Sequence, residues 1–292
     1  MPELTTRAHA KINLDLRLGE RRPDGFHPID TLFVRTGVAD QVSASPSPDG
    51  SLSLRIDGDP SLSAGPDNLV LRAAQALREK TGIRAGANIT LRKEIPQGAG
   101  LGGGSSDAAA ALKLLRDLWS VRISDQELAE IGTDLGSDIP FFLQSHPARG
   151  TGRGEILKAI PLQSLPWAIL IHPGFGSPTA DAYRRYAVNR RPGEEGASLP
   201  LPLASGKTYE LRPRNDLEPA VEEKFLWIRA ARIWLSRQPG VLVARMSGSG
   251  STVFGLFRTD QDLRSVEKSA RAYFGTKAWI RATRLLGTDE EA

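Results

Sequence analysis

Residues 96–112 read PQGAGLGGGSSDAAAAL. Glycine lets backbone N–H groups approach an anion with no Cβ in the way, and a helix N-terminus adds unpaired donors and about half a positive charge. A glycine run that leads straight into an alanine- and leucine-rich helix former has the chemistry of a phosphate seat, with Ser105, Ser106 and Asp107 as caps of that helix. Two other charged residues sit where their chemistry is unusual. Lys11 lies between Ala10 and Ile12 in an alternating stretch, so it points away from its apolar neighbours and can reach into a cleft; the plainer alternative is a solvated lysine on an edge strand. Asp138, in LGSDIPFFL, falls between a helix end and an apolar strand, where a partly buried carboxylate wants a cationic partner; its plainer alternative is a helix cap.

The glycine run admits several readings. Gly98, Gly100 and Gly103 satisfy G-x-G-x-x-G, with Asp117 about 20 residues on, as in a dinucleotide-binding turn. That turn should follow a continuous apolar parallel strand, whereas NITLRKEIPQ alternates and ends in charges and a proline. A Walker loop at Gly206, Lys207 and Thr208 would need its first glycine at position 201, which is Leu201. A glycine loop that merely makes a tight connection leaves the adjoining helix start unexplained.

The elements that must hold these residues are mixed. AHAKINLDLRL alternates with Ile12, Leu14, Leu16 and Leu18 on one buried face; a turn at Pro23–Gly25 precedes a second extended run, and GSLSLRIDG reads as its antiparallel hairpin partner. DNLVLRAAQALREKTG has a helical period, capped by Asp67 or Asn68 and stopped by Gly82. ANITLRKEI alternates into the glycine run, with the stem of Lys93 on its apolar side, and the next helix starts near Ser105. Ser124 and Glu127 form a capping box, Gly136 ends that helix, and SDIPFFL reads as an apolar strand. A proline-rich connection near Ile160 marks a domain boundary before the buried strand WAILIHPG. Residues 189–207 have the composition of an exposed, partly disordered excursion. Helix patterns follow in residues 215–238, and ARMSGSGSTVFGLF puts a second glycine element between extended runs. Alternating strands favour antiparallel or mixed sheets, hence an α+β class.

Composition narrows the chemistry. The 292 residues contain no cysteine, which excludes disulfides, thiolate metal sites and thiol nucleophiles. Thirty-eight basic residues stand against 34 acidic ones, a formal net charge of +4 with no long basic block, so an anionic ligand fits and nucleic acid finds no support. No apolar run approaches a membrane span, and the charged N-terminal stretch lacks a signal or transit pattern, which points to a cytoplasmic protein without a membrane partner. His9, His146 and His172 have no metal-ligand spacing and read as structural.

Three stretches, RAHAKINLDLRL, PQGAGLGGGSSDAAAAL and RMSGSGSTVFGLF, lie in the order of the three motifs of the galactokinase, homoserine kinase, mevalonate kinase and phosphomevalonate kinase superfamily, the GHMP kinases, which the chain resembles over almost its whole length. The resemblance implies a two-domain fold, a ribosomal S5 domain 2-like N-terminal domain and a ferredoxin-like C-terminal one, with the ATP site and catalytic centre in the cleft between them. It places the ATP-binding domain at 1–160, with a strand returning near 279–288, and the C-terminal domain at 161–278. Within the superfamily, RRPDGFHPIDTLF, LGSDIPFFL, IHPGFGSPTADAY and RNDLEPAV resemble the branch that phosphorylates the 2-hydroxyl of a cytidine diphosphate methylerythritol in isoprenoid-precursor synthesis. The alternatives are a homoserine- or mevalonate-type kinase of the same superfamily and a non-catalytic nucleotide-binding protein.

The resemblance assigns Asp138 as general base and Lys11 as the cation that orients it and stabilises the developing alkoxide. Pro96, Gly98, Ala99, Gly100, Leu101, Gly102, Gly103, Gly104, Ser105 and Ser106 would wrap the ATP phosphates, Mg²⁺ arriving as Mg·ATP without a dedicated acidic cage and Asp107 remaining ambiguous between helix and metal. Asn13 and His27 would bond the acceptor, Phe26 and Tyr183 would flank the cytosine ring, and Thr179, Gly248, Ser249 and Gly250 would close on the substrate. Phe26 stands where the family often has tyrosine, so stacking survives and a phenolic hydrogen bond is lost. The sequence leaves monomer and homodimer equally open.

Overall fold

The computed structural model describes residues 3–288. Two compact units interleave along the chain. The first comprises the residues up to Ala10, Val38–Ile95 and Gly102–Ser145; the second comprises Lys11–Gly37, Pro96–Leu101 and the residues from His146 onward. Strand β1 (Leu4–Leu18) begins in the first and ends in the second, and β2 (Ile29–Ser47) runs the other way. β1 departs from the expected half-buried strand: Ala8 to Leu16 are buried on both faces, because Lys11, Asn13 and Asp15 face an interior polar cluster opposite Ile12 and Leu14.

In the first unit, β3 (Leu52–Asp57) is not a hairpin partner of β2. Helix α1 (Leu69–Thr81) carries the chain over to β4 (Gly86–Arg92), which pairs in parallel with β3 and antiparallel with the second half of β2. A parallel neighbour requires such a crossover of a dozen or more residues. The α1 caps are the expected Asn68, which accepts from the Val70 N–H, and Gly82, at φ +72°. Helix α2 (Gly103–Leu118) starts two residues ahead of Ser105; its N-cap is Gly102, so Ser105, Ser106 and Asp107 lie inside the helix and do not cap it. Helix α3 (Asp125–Leu135) has the Ser124/Glu127 capping box, and the apolar stretch after it is a short helix, α4 (Ile139–Leu143), in place of a strand, with Pro140 in its first turn. Ala108–Ala111 are buried on every side of α2, which lets α1 and α4 pack closely against it.

The second unit contains the hairpin β5 (Ala148–Gly152) and β6 (Ile156–Ala159), β7 (Trp167–His172), α5 (Thr179–Asn189), the hairpin β8 (Leu199–Pro202) and β9 (Thr208–Leu211), α6 (Glu218–Lys224), α7 (Leu226–Ser236), β10 (Val241–Met246), β11 (Val253–Phe257), α8 (Asp260–Phe274) and β12 (Trp279–Leu286). Its sheet runs β10-β11-β7-β12 with antiparallel neighbours, and Leu285 and Leu286 continue onto Thr36 and Arg35 of β2. The change of unit after Ser145 precedes residue 160 because β5 pairs with the first half of β2. The excursion at 189–207 is more ordered than its composition implies: β8 lies within it, with Leu199 and Leu201 buried, and Gly206 sits in the turn of the β8–β9 hairpin. The core packs Val221, Ile228, Leu235 and Val266 against Ile169, Ile171 and Val253.

Candidate active site

Alternation along β1 puts Lys11, Asn13 and Asp15 on one face. Lys11 is only 4% exposed, so the solvated edge-strand alternative does not hold. Its Nζ donates to Asn13 Oδ1 at 2.7 Å and lies 5.1 Å from the centre of the Phe33 ring. Asn13 Nδ2 donates in turn to Thr31 Oγ1 at 2.8 Å, and that hydroxyl donates to the Asp15 carbonyl at 2.6 Å. A carboxamide engaged at both ends is fixed in orientation, and the ammonium is fixed with it. Below this relay, the Asp15 carboxylate accepts from the Leu32 N–H and from Arg149; burial raises its pKa while Arg149 pulls it back.

Three glycine-bearing segments close around Lys11 and Asn13 in the middle of β1. The Lys11 N–H donates to Leu101 O at 2.9 Å, Ser177 N–H to Gly98 O at 3.3 Å and Thr252 N–H to Ala99 O at 3.1 Å. Ser247 Oγ accepts from the Asn13 N–H and donates to Gly100 O. The approach needs bare backbone: a Cβ on Gly100, whose φ is +76°, would fall 2.3 Å from Ser247 O. One on Gly248 would lie 3.1 Å from Asn13 Oδ1 and 3.7 Å from Lys11 Nζ. Asn215 pins the Ser247–Thr252 segment, its Nδ2 donating to Met246 O and Gly248 O at 2.8 Å each. Thr179 and Ser249 hydroxyls are 2.9 Å apart.

Among the expected acceptor-side residues, His27 is buried, with Nδ1 2.9 Å from Gly19 O. A carbonyl only accepts, so Nδ1 is the donor of this bond, and in the Nδ1–H tautomer Nε2 is the acceptor nitrogen. That Nε2 is buried with no hydrogen-bond partner among the described residues. The ring stands edge-on to Tyr186 at 5.5 Å and tilted to Tyr183 at 6.5 Å. Phe26 is 50% exposed, with the Arg153 guanidinium 3.7 Å from its ring centre.

In the first unit, α2 opens without a side-chain cap, so the N–H groups of its first turn, Gly103 to Ser105, have no acceptor within the helix. Ser106 is buried, and its N–H makes the first intrahelical bond, to Gly102 O. Asp138 is half-buried and occupies the N-cap position of α4, without a side-chain bond to the helix. The chain just before it passes α2: a Cβ on Gly136 would be 4.0 Å from Ser105 Oγ.

Family models for the GHMP kinases N terminal domain and the GHMP kinases C terminal match residues 68–146 and 205–276. A 4-diphosphocytidyl-2-C-methyl-D-erythritol kinase of Methylacidiphilum infernorum is 38% identical over 284 residues, 96% of each chain. One of Parvibaculum lavamentivorans is 40% identical over 268 residues, 89% of this chain and 91% of the relative. The chain belongs to the GHMP kinases. A crystal structure of 4-(cytidine 5'-diphospho)-2C-methyl-D-erythritol kinase superposes on this GHMP kinase with a TM-score of 0.77 at 35% identity, covering 96% and 99% of the two chains. A homoserine kinase from Cytophaga hutchinsonii, at 16% identity and a TM-score of 0.68, shares the fold.

Sequence reasoning passed over several groups that shape the site of this GHMP kinase. Lys93 does not merely lay its stem on the core: its ammonium is buried between Asp40 and Asp107, 2.7 Å from Asp107 Oδ2. Burial works against that charge, and the two carboxylates more than offset it, holding the Lys93 pKa above its ordinary value. Burial pushes Asp107 up, with Lys93 opposing and Asp40 adding to the shift. Glu218 was equally silent. Its Oε2 accepts from the Met246 N–H at 2.8 Å, and burial, against the pull of Arg232 and Arg245, raises it to about 7. The signal available for all of these was an acidic or basic residue at a position of apolar period. His172 accepts from the Gly174 N–H and is held neutral by burial, with its pKa lowered to about 4. No acidic or histidine cluster fit for a metal occurs among the described residues, nor any helix long and apolar enough to cross a membrane.

Proposed function

We propose that this GHMP kinase transfers the γ-phosphoryl group of ATP to the 2-hydroxyl of 4-diphosphocytidyl-2-C-methyl-D-erythritol, the compound in the names of its full-length relatives. The observation that carries the choice of acceptor is the buried Nε2 of His27, without a hydrogen-bond partner among the described residues and an acceptor in the tautomer that donates from Nδ1 to the Gly19 carbonyl. A buried acceptor left unmatched costs about 1–3 kcal/mol, which a ligand amino group repays. The exocyclic amine of cytosine is such a donor, and Phe26 and Tyr183 supply aromatic faces for the ring.

In this reading Asp138 takes the proton of the attacking hydroxyl, and Lys11, oriented through Asn13 and Thr31, stabilises the alkoxide that forms. Asn13 then acts on the acceptor mainly through Lys11 and through its N–H bond to Ser247. The segment from Pro96 to Ser106 offers its N–H groups to the phosphates. Mg²⁺ would neutralise phosphate charge; Ser105 and Ser106 have the hydroxyls to meet it, and the phosphates and water would supply its other ligands. Gly248, Ser249, Gly250 and Thr179 would hold the acceptor diphosphate. The division in this reading is an N-terminal ATP-binding domain over 1–160, with a strand returning near 279–288, and a C-terminal GHMP kinase domain over 161–278.

The test is ADP release from Mg·ATP with the cytidine compound beside homoserine, mevalonate and galactose, with ³¹P NMR to locate the new phosphate. Turnover confined to the cytidine compound, with phosphate on the 2-oxygen, is the expected result. Turnover with another acceptor alone overturns the cytosine assignment.

A further inference from the structure

Lys93 is the residue after β4, and Asp107 lies in α2; the segment expected to hold the ATP phosphates is the chain between them. The two side chains meet at 2.7 Å across a separation of 14 residues. Asp40 completes the arrangement from β2: it pairs with Lys93, and its Oδ1 accepts the N–H groups of Glu94 and Ile95, at 2.5 and 2.9 Å. The strand end is therefore fixed by its backbone as well as by its lysine. Glycine at 103 fits the same joint, since a Cβ there would lie 3.0 Å from Ile95 Cγ2 and 3.4 Å from Lys93 Nζ.

We propose that Lys93 and Asp107 are positioning residues that clamp the two stems of the phosphate loop, and that Asp107 serves this clamp and not the metal. The proposal rests on the reading of residues 96–106 as the ATP phosphate segment. Two carboxylates share one ammonium, and Asp107 Oδ1 has no hydrogen-bond partner among the described residues, so the clamp needs an acceptor at Asp107 Oδ2 more than it needs a second negative charge. With the clamp intact, the point where the chain leaves β4 and the point where it enters α2 are set before nucleotide arrives. Without it, nucleotide binding must order the stems, and the penalty falls on ATP alone.

The experiment measures the Kd of a non-hydrolysable Mg·ATP analogue, KM for ATP, KM for the acceptor, kcat and Tm. It compares the wild-type enzyme with Lys93→Met, Asp107→Ala, Asp107→Asn and the double variant Lys93→Met/Asp107→Ala. Lys93→Met and Asp107→Ala should each raise the analogue Kd and KM for ATP about tenfold, with kcat and the acceptor KM within about twofold. The double variant should be no worse than either single one, because both break the same link. Asp107→Asn keeps an acceptor for Lys93 and should stay within about threefold of wild type, with an unchanged Mg²⁺ requirement.

The clamp is overturned if folded Lys93→Met and Asp107→Ala bind the analogue like wild type, or if their effects add. It is equally overturned if Asp107→Asn raises the Mg²⁺ concentration needed for half-maximal rate, the behaviour of a metal ligand. Should Lys93→Met not fold, Lys93→Arg keeps the charge but lengthens the link; it should raise KM for ATP alone, and an unchanged KM overturns the proposal. Failure of the wild-type enzyme to bind the analogue would instead remove the underlying assignment of the glycine segment.

Discussion

Among the described residues, the side chains of Lys93 and Lys11 are both buried, and the groups they donate to differ. Lys93 is tied by carboxylates: Asp40 and Asp107 surround its ammonium, and their charge is spent on it. Lys11 is oriented by a relay of neutral groups, Asn13, Thr31 and the Asp15 carbonyl. A carboxylate clamp fixes position by cancelling charge, whereas a relay of neutral groups fixes the direction of the ammonium that donates into it. The first suits a joint in the scaffold. The second suits an ammonium that must meet negative charge as it develops.

The sharpest way to break this contrast is to remove the charge or the base that the relay serves. Lys11→Met should lower kcat by about two to three orders of magnitude and Asp138→Asn by about two to four, with ATP affinity within about threefold of wild type. If Lys11→Met kept its kcat and lost only Tm, the two lysines would be of one kind. A subtler cut removes the relay and spares the lysine. Thr31→Val should cost about tenfold in kcat with little change in KM for either substrate, and Thr31→Ser should restore the rate.

Volume tests the glycine contacts around Lys11. Gly100→Ala places a Cβ 2.3 Å from Ser247 O at a φ of +76°. The left-handed backbone alone should cost about 1–3 kcal/mol in urea denaturation, and KM for both substrates should rise as the segments part. The smallest effect concerns a carboxylate of the other style on the same unit. Glu218 binds its proton more tightly in the folded chain, at about 7 against an ordinary 4.5, so its contribution to stability is complete below the ordinary value and declines as pH rises to about 7. Glu218→Gln should flatten the fall in Tm between pH 5 and 8 by about 2–4 °C, measured by differential scanning fluorimetry. An identical slope in the variant would assign the pH dependence elsewhere.

What the sequence made legible follows the same line. Caps at Asn68, Gly82 and Ser124, the buried strand at 167–172 and the motif glycines were readable because each depends on local chemistry. The parallel pairing of β3 was not, since GSLSLRIDG alternates alike in a hairpin or a crossover and its neighbour is chosen by α1. SDIPFFL passed for a strand because apolar runs of that length have no diagnostic period. Lys11 and Asp138 stood out by their apolar sequence context, but only the motif resemblance gave them roles, and the ion pairs of Lys93 were not legible, because the burial of a charge depends on partners far away in sequence: Asp40 comes from β2 and Asp107 from α2.

The interleaving of the two units bears on how the polypeptide is made. The chain passes from one to the other after Ala10, Gly37, Ile95, Leu101 and Ser145. Neither unit is a contiguous stretch that could finish folding as it emerges from a ribosome. β12 closes the sheet of the second unit by pairing with β7 and with Thr36 and Arg35 of β2, so that one stretch of an early strand waits for nearly the whole described chain. At about 5–20 residues per second, Arg35 and Thr36 wait some tens of seconds for β12, whereas β4 and β5 reach the rest of β2 earlier.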